Sequence, residues 1–341
     1  MSKMLEKRKL GSTNLEVSVL ALGGLPLSTV WAKGAGSEII RRAAELGINF
    51  IDTAPSYHDS ESVIGEALRK LDAEFYIGTK LGRLPAQDYR PQDKEFLRRE
   101  LNDSLKRLNR SKVDIVYIHE PDRPEFYQWW SNSDTYDGAV MEMLAQAREA
   151  GKLDFIGLGG TTTLEMARLV KSGKFDVVLS AFQYSLLWRE AEYSVFPAAA
   201  EQKMGLIAGS PLQQGALAKI YYHDIVEEPM RWLSAPRRKQ FMELYELVHD
   251  CGIPLPELAL RFVLSNPLVT SVLTGVDSVE RLENNVESAM KGPLPAELLE
   301  KLKNIYDLVP FRPFGEPFSL SFAENIKAIE EARKKAEAAK K

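Results

Sequence analysis

Short runs of apolar and β-branched residues recur along the chain, and the intervals between them are long enough for a helix. Eight runs are predicted as strands, at residues 17–24, 49–54, 75–80, 113–120, 154–160, 176–184, 205–212 and 270–276. The runs are nearly continuous in apolar character, which is typical of parallel strands covered on both faces. The pattern therefore predicts a parallel sheet that is buried on both sides.

Amphipathic segments fill the intervals between the predicted strands. Helices are predicted at residues 37–47, 61–71, 93–109, 138–150, 163–172, 192–204, 237–250, 256–267 and 278–290. In the first of these, Ser37 is a candidate N-cap residue and Gly47 a candidate C′ residue. Eight alternating strand–helix units predict an α/β fold, a (β/α)8 TIM barrel. A doubly wound open sheet is the alternative, but no G-x-G-x-x-G turn follows the first strand.

Three segments fall outside the alternation. Residues 7–18 predict an N-terminal hairpin with its turn at 11–14, placed as a plug under the barrel. Residues 120–138 form a long, aromatic-rich loop after the fourth predicted barrel strand. The run at 323–341 is charged and helix-prone. We therefore expect a single domain over residues 1–320 and a charged helical tail over 321–341.

Four polar residues stand near the ends of three consecutive predicted strands. Asp52, Lys80 and His119 lie at the ends of the second, third and fourth strands, and Tyr57 follows in the loop after the second. Reactive groups of a (β/α)8 barrel collect at the carboxyl ends of its strands. An ammonium beside a tyrosine lowers the pKa of the phenol, and a histidine can orient a substrate oxygen. The residues thus predict proton transfer to or from a carbonyl oxygen.

Composition and charge exclude several classes of protein. The formal net charge of the 341-residue chain is −4, so no global basic field favours nucleic acid. No stretch approaches the ~20 apolar residues of a membrane span. The single cysteine, Cys251, cannot form an intrachain disulfide, and the charged start has no apolar segment of a secretory signal. We therefore expect a cytoplasmic protein.

The segments around the four polar residues resemble the aldo-keto reductase family. The matching segments are NFIDTAPSY (49–57), YIGTK (76–80) and VDIVYIHEPD (113–122). The resemblance implies a (β/α)8 barrel that transfers a hydride between NAD or NADP and a carbonyl or alcohol, without a metal. It also implies that Tyr57 is the general acid/base, that Lys80 and Asp52 tune it, and that His119 positions the substrate.

Other segments are similar to the branch of that family that contains the L-galactose and L-fucose dehydrogenases. They are GINFIDTAPSY (47–57), LALRFVLSNP (258–267) and SVLTGVDSVERLENNV (271–286). This similarity implies oxidation of an aldose at its anomeric carbon to give a lactone. The alternatives are a general aldehyde or ketone reductase, a cofactor-binding regulatory subunit without turnover, and a metal-dependent barrel hydrolase. The four histidines, without an H-x-H after the first strand, disfavour the hydrolase.

The resemblance also assigns residues to the cofactor. These are Gly24, Gly160, Gln183, Ser210, Leu212, Gly275, Asp277, Arg281 and Asn285. The chain departs from the family where Gly159 and Gly160 replace a Ser-Asn pair, and where Gly209 replaces an aromatic residue. Members that prefer the 2′-phosphate of NADP often carry lysine at the position of Gly275, and Asp277 would repel that phosphate. These differences favour NAD slightly over NADP.

Aromatic residues in segments that follow strands are candidates for the substrate pocket. Trp31, Trp129 and Trp130 are the candidate substrate-binding residues. Aromatic walls suit sugar faces as well as flat apolar rings. Since few charges accompany them, we expect a small neutral carbonyl or sugar substrate. The pattern indicates no nucleic-acid or membrane partner and leaves the oligomeric state open.

Overall fold

The structure, a computed structural model, describes residues 5–83, 88–313, 315–317, 320, 322 and 334. Its strands are β1 (Lys7–Lys9), β2 (Glu16–Ser18), β3 (Leu20–Gly23), β4 (Phe50–Asp52), β5 (Tyr76–Leu81), β6 (Val113–His119), β7 (Leu153–Gly160), β8 (Val177–Ala181), β9 (Gly205–Gly209) and β10 (Ser271–Thr274). Strands β3 to β10 are parallel and close into a barrel in the order β10-β3-β4-β5-β6-β7-β8-β9. The predicted (β/α)8 barrel is confirmed.

Helices cover the outside of the barrel. They are α1 (Thr29–Ala32), α2 (Gly36–Glu45), α3 (Ser60–Lys70), α4 (Lys94–Arg107), α5 (Ala139–Glu149), α6 (Leu164–Lys171), α7 (Val195–Glu201), α8 (Ala235–Cys251), α9 (Leu255–Leu264), α10 (Val279–Met290) and α11 (Ala296–Tyr306). Their apolar faces join outward-facing strand residues such as Ile118 and Leu158 in one continuous buried cluster. Every barrel strand is therefore covered on its outer face, which explains its nearly continuous apolar sequence.

Local details differ from the sequence predictions at several boundaries. The run at 17–24 is divided, because its first residues belong to β2 and the rest to the barrel strand β3. Helix α2 begins one residue earlier than predicted, so Ala35 and not Ser37 is its N-cap, while Gly47 follows the helix with a φ of +87°. Helices α1 and α11 were not predicted. The tail at 321–341 lies outside the described residues, apart from residues 322 and 334.

The N-terminal hairpin closes one end of the barrel. Strands β1 and β2 pair antiparallel, with Lys7 opposite Ser18. Leu10 and Leu15 of the connecting turn are buried in the cluster that fills the barrel interior. A Cβ added to Gly205, at the start of β9, would lie 2.5 Å from Leu10 Cγ. The predicted plug is confirmed, and it leaves the carboxyl ends of the strands as the open end.

The ring of Tyr117 fills the interior just below that open end. Tyr117 is fully buried on β6, and the neighbouring strands carry glycine beside its ring. A Cβ on Gly157 would lie 2.4 Å from Tyr117 Cδ1, and one on Gly78 would lie 2.8 Å from Cε2. The side chain of Lys80 stands above this ring, with 5.6 Å between Nζ and the ring centroid. Tyr117 therefore supports the residues at the strand ends from below.

No helix in the described part of the chain is long and apolar enough to cross a membrane. The long loop after β6, predicted at 120–138, is present and carries one isolated antiparallel bridge between Asn132 and Asp137. It runs from the open end of the barrel to α5. The loop is therefore placed where it can border the site described below.

Replacing Gly157 with alanine should destabilise the protein, because the added methyl group would overlap the Tyr117 ring. We expect the free energy of unfolding to fall by about 1–3 kcal/mol, the usual cost of overpacking a core. Gly159→Ala is the matched control on the same face of β7, since its Cβ would meet nothing nearer than Lys80 Cε at 3.7 Å. Urea denaturation measures both variants, and equal stabilities would contradict the proposed fit.

Candidate active site

A buried ion pair lies at the carboxyl ends of β4 and β5. Asp52 is opposite Gly78 in the strand register, two residues before Lys80. The Lys80 ammonium contacts the Asp52 carboxylate and donates a 2.8 Å hydrogen bond to the carbonyl oxygen of Thr53. Only 2% of the Lys80 side chain and 4% of the Asp52 side chain are exposed. Burial alone would lower the pKa of Lys80, but Asp52 and Tyr57 together outweigh it, so the pKa is raised and the lysine stays charged.

Tyr57 lies in the loop after β4, with its ring against Lys80. The Lys80 Nζ atom is 4.9 Å from the ring centroid. Asp59 fixes this loop to α1 by accepting hydrogen bonds of 2.9 and 2.6 Å from the backbone N–H and hydroxyl of Thr29. Burial raises the pKa of Tyr57, and the charge of Lys80 offsets only part of the rise. Lys80 thus acts in the expected direction, but the net shift is upward and Tyr57 stays protonated at neutral pH.

His119 completes the cluster at the end of β6. Its ring packs edge-on against Tyr57, with 6.1 Å between centroids, and its Nδ1 lies 3.4 Å from the carbonyl oxygen of Gly82. Burial, followed by the charge of Lys80, lowers the pKa of His119 to about 3, so the ring is neutral. A carbonyl oxygen can only accept, so the ring proton belongs on Nδ1 and Nε2 is left as an acceptor. The structure therefore brings the four predicted residues together.

Glu120 lies beside His119 and was not singled out in the sequence analysis. Its Oε2 accepts a 2.6 Å hydrogen bond from the hydroxyl of Thr161 and lies 3.2 Å from Nε of Arg123. Arg123 also donates to the Thr161 hydroxyl at 2.6 Å. Burial raises the pKa of Glu120 to about 7. The sequence does contain a signal that could have identified Glu120, because an acidic residue directly follows His119 at the end of a strand.

The glycines that end β7 have different surroundings. A Cβ on Gly159 would lie 3.7 Å from Lys80 Cε, so glycine leaves space beside the lysine that a larger side chain would fill. A Cβ on Gly160 would lie 2.3 Å from Met166 Sδ and 2.5 Å from Asp122 Oδ1. Packing against these two side chains explains the glycine at 160, and only the backbone of Gly160 is left to contact a cofactor.

The other predicted cofactor residues of this side follow β8 and β9. The Gln183 side-chain amide donates a 2.6 Å hydrogen bond to the carbonyl oxygen of Thr161, and its own oxygen accepts none from the described residues. Ser210 and Leu212 are half-buried just beyond β9, and Ser210 has a φ of +59°. A Cβ on Gly209 would lie 3.3 Å from Ala181 Cβ, which is a tight contact. An amide oxygen that has no partner among the described residues fits the carboxamide of a nicotinamide ring.

The segment between β10 and α10 carries the predicted residues for the adenosine phosphate. Arg281 and Asp277 form a salt bridge at 2.8 and 3.0 Å, so they neutralise one another. Asn285 is half-buried one turn further along α10. A Cβ on Gly275 would lie 2.7 Å from Pro26 Cγ. The N-terminus of α10, capped by Ser278, presents backbone N–H groups that suit a phosphate.

Gly24 has a structural part in the site. Its N–H donates a 2.7 Å hydrogen bond to the carbonyl oxygen of Asp52, and its carbonyl accepts one of 2.7 Å from the Ser60 hydroxyl. A Cβ at this position would lie 2.8 Å from the Asp52 carbonyl oxygen. Gly24 therefore holds the end of β4, and its carbonyl and amide are already used.

The three candidate tryptophans occupy different environments. Trp129 is fully buried, donates a 3.0 Å hydrogen bond to the carbonyl oxygen of His119 and packs on Tyr127, which contradicts its assignment to an open substrate wall. Trp130 is half-buried, and its ring packs on Tyr136 at 5.5 Å. Trp31 is half-buried on α1, and α1 is the helix tied to the Tyr57 loop. Of the three, Trp31 is thus the best placed to contact a substrate.

The described ranges contain no group of three or more His, Cys, Asp or Glu side chains that could hold a metal ion. At the open end, Lys80 pairs with Asp52 and Arg123 pairs with Glu120. The Tyr57 phenol, the Lys80 ammonium and the His119 imidazole, which meet there, are groups suited to proton transfer.

Comparisons with known proteins agree with this arrangement. The model of the Aldo/keto reductase family matches residues 20–307. The chain is 30% identical over 297 residues to the L-galactose dehydrogenase of Arabidopsis thaliana, covering 83% of this chain and 87% of that protein. It is 29% identical over 296 residues to a D-threo-aldose 1-dehydrogenase of Pseudomonas sp, covering 77% and 85% respectively.

A solved structure shows the same fold. The holo form of an aldo-keto reductase from Bacillus halodurans superposes with a TM-score of 0.72 and 24% identity, covering 92% of this chain and 100% of that one. This likeness shows the fold, and the family itself is shown by the family model and by the 30% identical relative. The chain belongs to the aldo/keto reductase family and is an NAD(P)-dependent oxidoreductase of carbonyl and alcohol groups.

Proposed function

We propose that the protein is an NAD-preferring dehydrogenase that oxidises a neutral aldose at its anomeric carbon to the lactone. The observation that carries the proposal is the cluster of Tyr57, Lys80, Asp52 and His119 at the open end of the barrel. The names of the aldose dehydrogenases among its relatives support the substrate class. The Arg189 guanidinium is buried, donates a 2.9 Å hydrogen bond to the carbonyl oxygen of Leu302 and lies 4.4 Å from the centroid of the Phe262 ring, so it is not free to bind a charged substrate.

The state of His119 favours a substrate hydroxyl as the reacting group. The neutral ring carries its proton on Nδ1, toward the carbonyl oxygen of Gly82, so Nε2 can only accept a hydrogen bond. The anomeric hydroxyl of a cyclic aldose is a donor, whereas a carbonyl oxygen is not. His119 can thus hold the alcohol form of the substrate on binding, and the single hydroxyl proton then turns to Tyr57 for transfer.

Proton transfer is assigned to Tyr57. Its phenol is protonated at neutral pH, which suits donation to a carbonyl oxygen, and the adjacent Lys80 ammonium stabilises the phenolate that accepts a proton during oxidation. Asp52 keeps Lys80 charged throughout. Because the pKa of Tyr57 lies above its ordinary value, we expect oxidation to accelerate as pH rises through the alkaline range.

A bound nicotinamide would accept the hydride from the anomeric carbon. Gln183 would hold its carboxamide, and the N-terminus of α10 would receive the adenosine phosphate. The space beside Lys80 left by Gly159 would admit the ring. Gln183, Gly159 and the N-terminus of α10 would thus bind and orient the cofactor, whereas Tyr57 would transfer the proton.

Two contacts support NAD over NADP. Gly275 packs on Pro26, so a lysine at this position would require Pro26 to move. Arg281 is already paired with Asp277, so a 2′-phosphate would have to displace a carboxylate to reach it. The site thus offers the additional phosphate of NADP neither a lysine at 275 nor an unpaired Arg281.

Tyr57→Phe should lower kcat for aldose oxidation by at least ~10²-fold, since it removes the only group assigned to proton transfer. NADH binding, followed by tryptophan fluorescence, should change less than twofold. Tyr76→Phe is the matched control, because that hydroxyl belongs to the first residue of β5, at the opposite end of the barrel. Retention of most of the activity by Tyr57→Phe would refute the assigned role. Reduction of simple aldehydes without aldose oxidation by the native protein would favour the general reductase instead.

Asp277→Asn should raise the affinity for NADPH about tenfold relative to NADH, because it frees Arg281 to pair with the 2′-phosphate. Separate titrations with NADH and NADPH measure this ratio. Glu280→Gln is the control, since it removes one negative charge from the first turn of α10 without touching that salt bridge. An unchanged ratio in Asp277→Asn would show that this pair does not face the ribose.

His119 should make the native protein less stable in mild acid. The unfolded chain takes up a proton on His119 below pH 6.5, but the folded protein does so only near pH 3. Between pH 6.5 and 5, the free energy of unfolding should therefore lose about 1.4 kcal/mol per pH unit from this group. His119→Asn should remove that part of the slope. Urea denaturation at several pH values measures it, and identical slopes would contradict the neutral buried imidazole.

A further inference from the structure

Glu120 presents one carboxylate oxygen that the described chain does not use. Its Oε2 is fully engaged by Thr161 and Arg123. Its Oε1 accepts no hydrogen bond from the described residues, and 15% of the side chain is exposed. A carboxylate oxygen carries two lone pairs, so Oε1 is a strong acceptor available to a ligand.

Glu120 lies at the same open end of the barrel as the proton-transfer residues. It directly follows His119, and its backbone N–H donates a 2.7 Å hydrogen bond to the carbonyl oxygen of Gly159, where an added Cβ would lie 3.7 Å from Lys80 Cε. Its charge is near enough to Tyr57 to contribute to the raised pKa of that phenol. A substrate whose reacting carbon lies between Tyr57 and His119 therefore has Glu120 within reach of its neighbouring atoms.

The carboxylate is held rigidly. Thr161, which donates to it, is itself fixed by a 3.0 Å hydrogen bond from its backbone N–H to Asp122 and by the 2.6 Å bond from Gln183. Glu120 also has a φ of +49°, a conformation that non-glycine residues rarely adopt and that is often kept at functional sites. The side chain is thus oriented before any ligand arrives.

The charge balance indicates which ligand group suits Oε1. The guanidinium of Arg123, with Nε 3.2 Å from Oε2, balances part of the charge of Glu120, while Asp122 and Glu125 add negative charge nearby. The neutral aldose of the proposed function brings hydroxyl groups as donors, and a hydroxyl would donate to Oε1 without changing that balance. The ligand group that fits both the proposed substrate and this oxygen is therefore a hydroxyl.

We propose that Glu120 is a specificity-determining residue whose Oε1 accepts a hydrogen bond from a substrate hydroxyl next to the reacting carbon. The inference rests on the proposed function and extends it. The site would prefer hydroxylated carbonyl compounds and aldoses over aldehydes of equal length without hydroxyl groups. Sites built to bind a hydroxyl reject analogues that lack it, because the buried acceptor is then left unpaired.

The test compares glyceraldehyde with propanal, which have the same number of carbons and differ in two hydroxyl groups. Reduction of each by NADH is measured as kcat/KM for the native protein and for Glu120→Gln. The Thr161 hydroxyl donates to Oε2 and the cationic guanidinium of Arg123 lies 3.2 Å from it, so the glutamine amide keeps its oxygen there and places its NH₂ group at the free position. We expect kcat/KM for glyceraldehyde to fall about 10- to 100-fold and that for propanal to change less than threefold.

Glu125→Gln is the matched control. Glu125 also contacts Arg123, at 3.4 Å, but 57% of its side chain is exposed. This variant should leave the ratio of the two aldehydes unchanged. Glu120→Leu removes the acceptor altogether, and should lose the preference for glyceraldehyde completely while still binding NADH.

The pH dependence gives an independent readout. Glu120 ionises near neutral pH, so KM for glyceraldehyde should fall between pH 6 and pH 8, while KM for propanal should not. The charged groups that face Glu120 are Asp122, Arg123 and Glu125 in its own loop. The phenol of Tyr127, in the same loop, and that of Tyr57, in the loop after β4, also lie near it. These two phenols stay protonated in this range, because burial raises the pKa of each above its ordinary value. Glu120→Gln should abolish the fall in KM.

The outcomes separate the two proposals. Equal loss for both aldehydes in Glu120→Gln, or no preference for glyceraldehyde in the native protein, would overturn the inference and leave the oxidoreductase intact. Absence of turnover with either aldehyde and with aldoses, under both cofactors, would overturn the proposed function and the inference with it. Selective loss for glyceraldehyde, together with loss of the pH dependence, would support the assignment of Glu120.

Discussion

The buried contact between Lys80 and Asp52 is the interaction on which the site depends. Removing two charges from water costs several kcal/mol per ion, and the cost is offset only where the charges meet and their remaining hydrogen bonds are satisfied. The barrel meets this condition for Lys80 through strand register, which sets Asp52 beside β5, and through the Thr53 carbonyl oxygen, which accepts a second hydrogen bond from the ammonium. The Oδ2 atom of Asp52 is buried and has no hydrogen-bond partner among the described residues, so the contact with Lys80 is what stabilises this carboxylate. Gly24 holds the Asp52 backbone, and the Tyr117 ring closes the space below Lys80.

Much of this architecture could be predicted from the sequence because its causes are local or periodic. Parallel strands buried on both faces leave continuous apolar runs, and their ends meet at one edge, so the meeting of Asp52, Lys80 and His119 followed from their positions. The hairpin at 7–18 could also be predicted, because its turn at 11–14 is a local signal. Helix α11 and the division of the run at 17–24 were not predicted, because packing against the rest of the barrel decides them.

The remaining features of the site depend on contacts between distant segments. Trp129 could not be distinguished from a pocket residue by type or spacing, since its burial depends on the loop folding back onto the carbonyl oxygen of His119. Because Asp277 and Arg281 form a salt bridge, each neutralises the charge that the other could present to the cofactor. Glu120 was overlooked because its significance depends on Thr161, which belongs to another strand end.

The strand ends also share a backbone conformation that costs stability. Gly82, Glu120, Phe182 and Ser210 directly follow β5, β6, β8 and β9, and each has a positive φ. Left-handed geometry costs roughly 1–2 kcal/mol for a residue other than glycine, and three of the four carry side chains. If the turns served connectivity alone, glycine would make them without that cost. At Glu120 the retained side chain is the one bonded to Thr161, so the strain and the proposed hydroxyl acceptor have a common origin in the turn after His119.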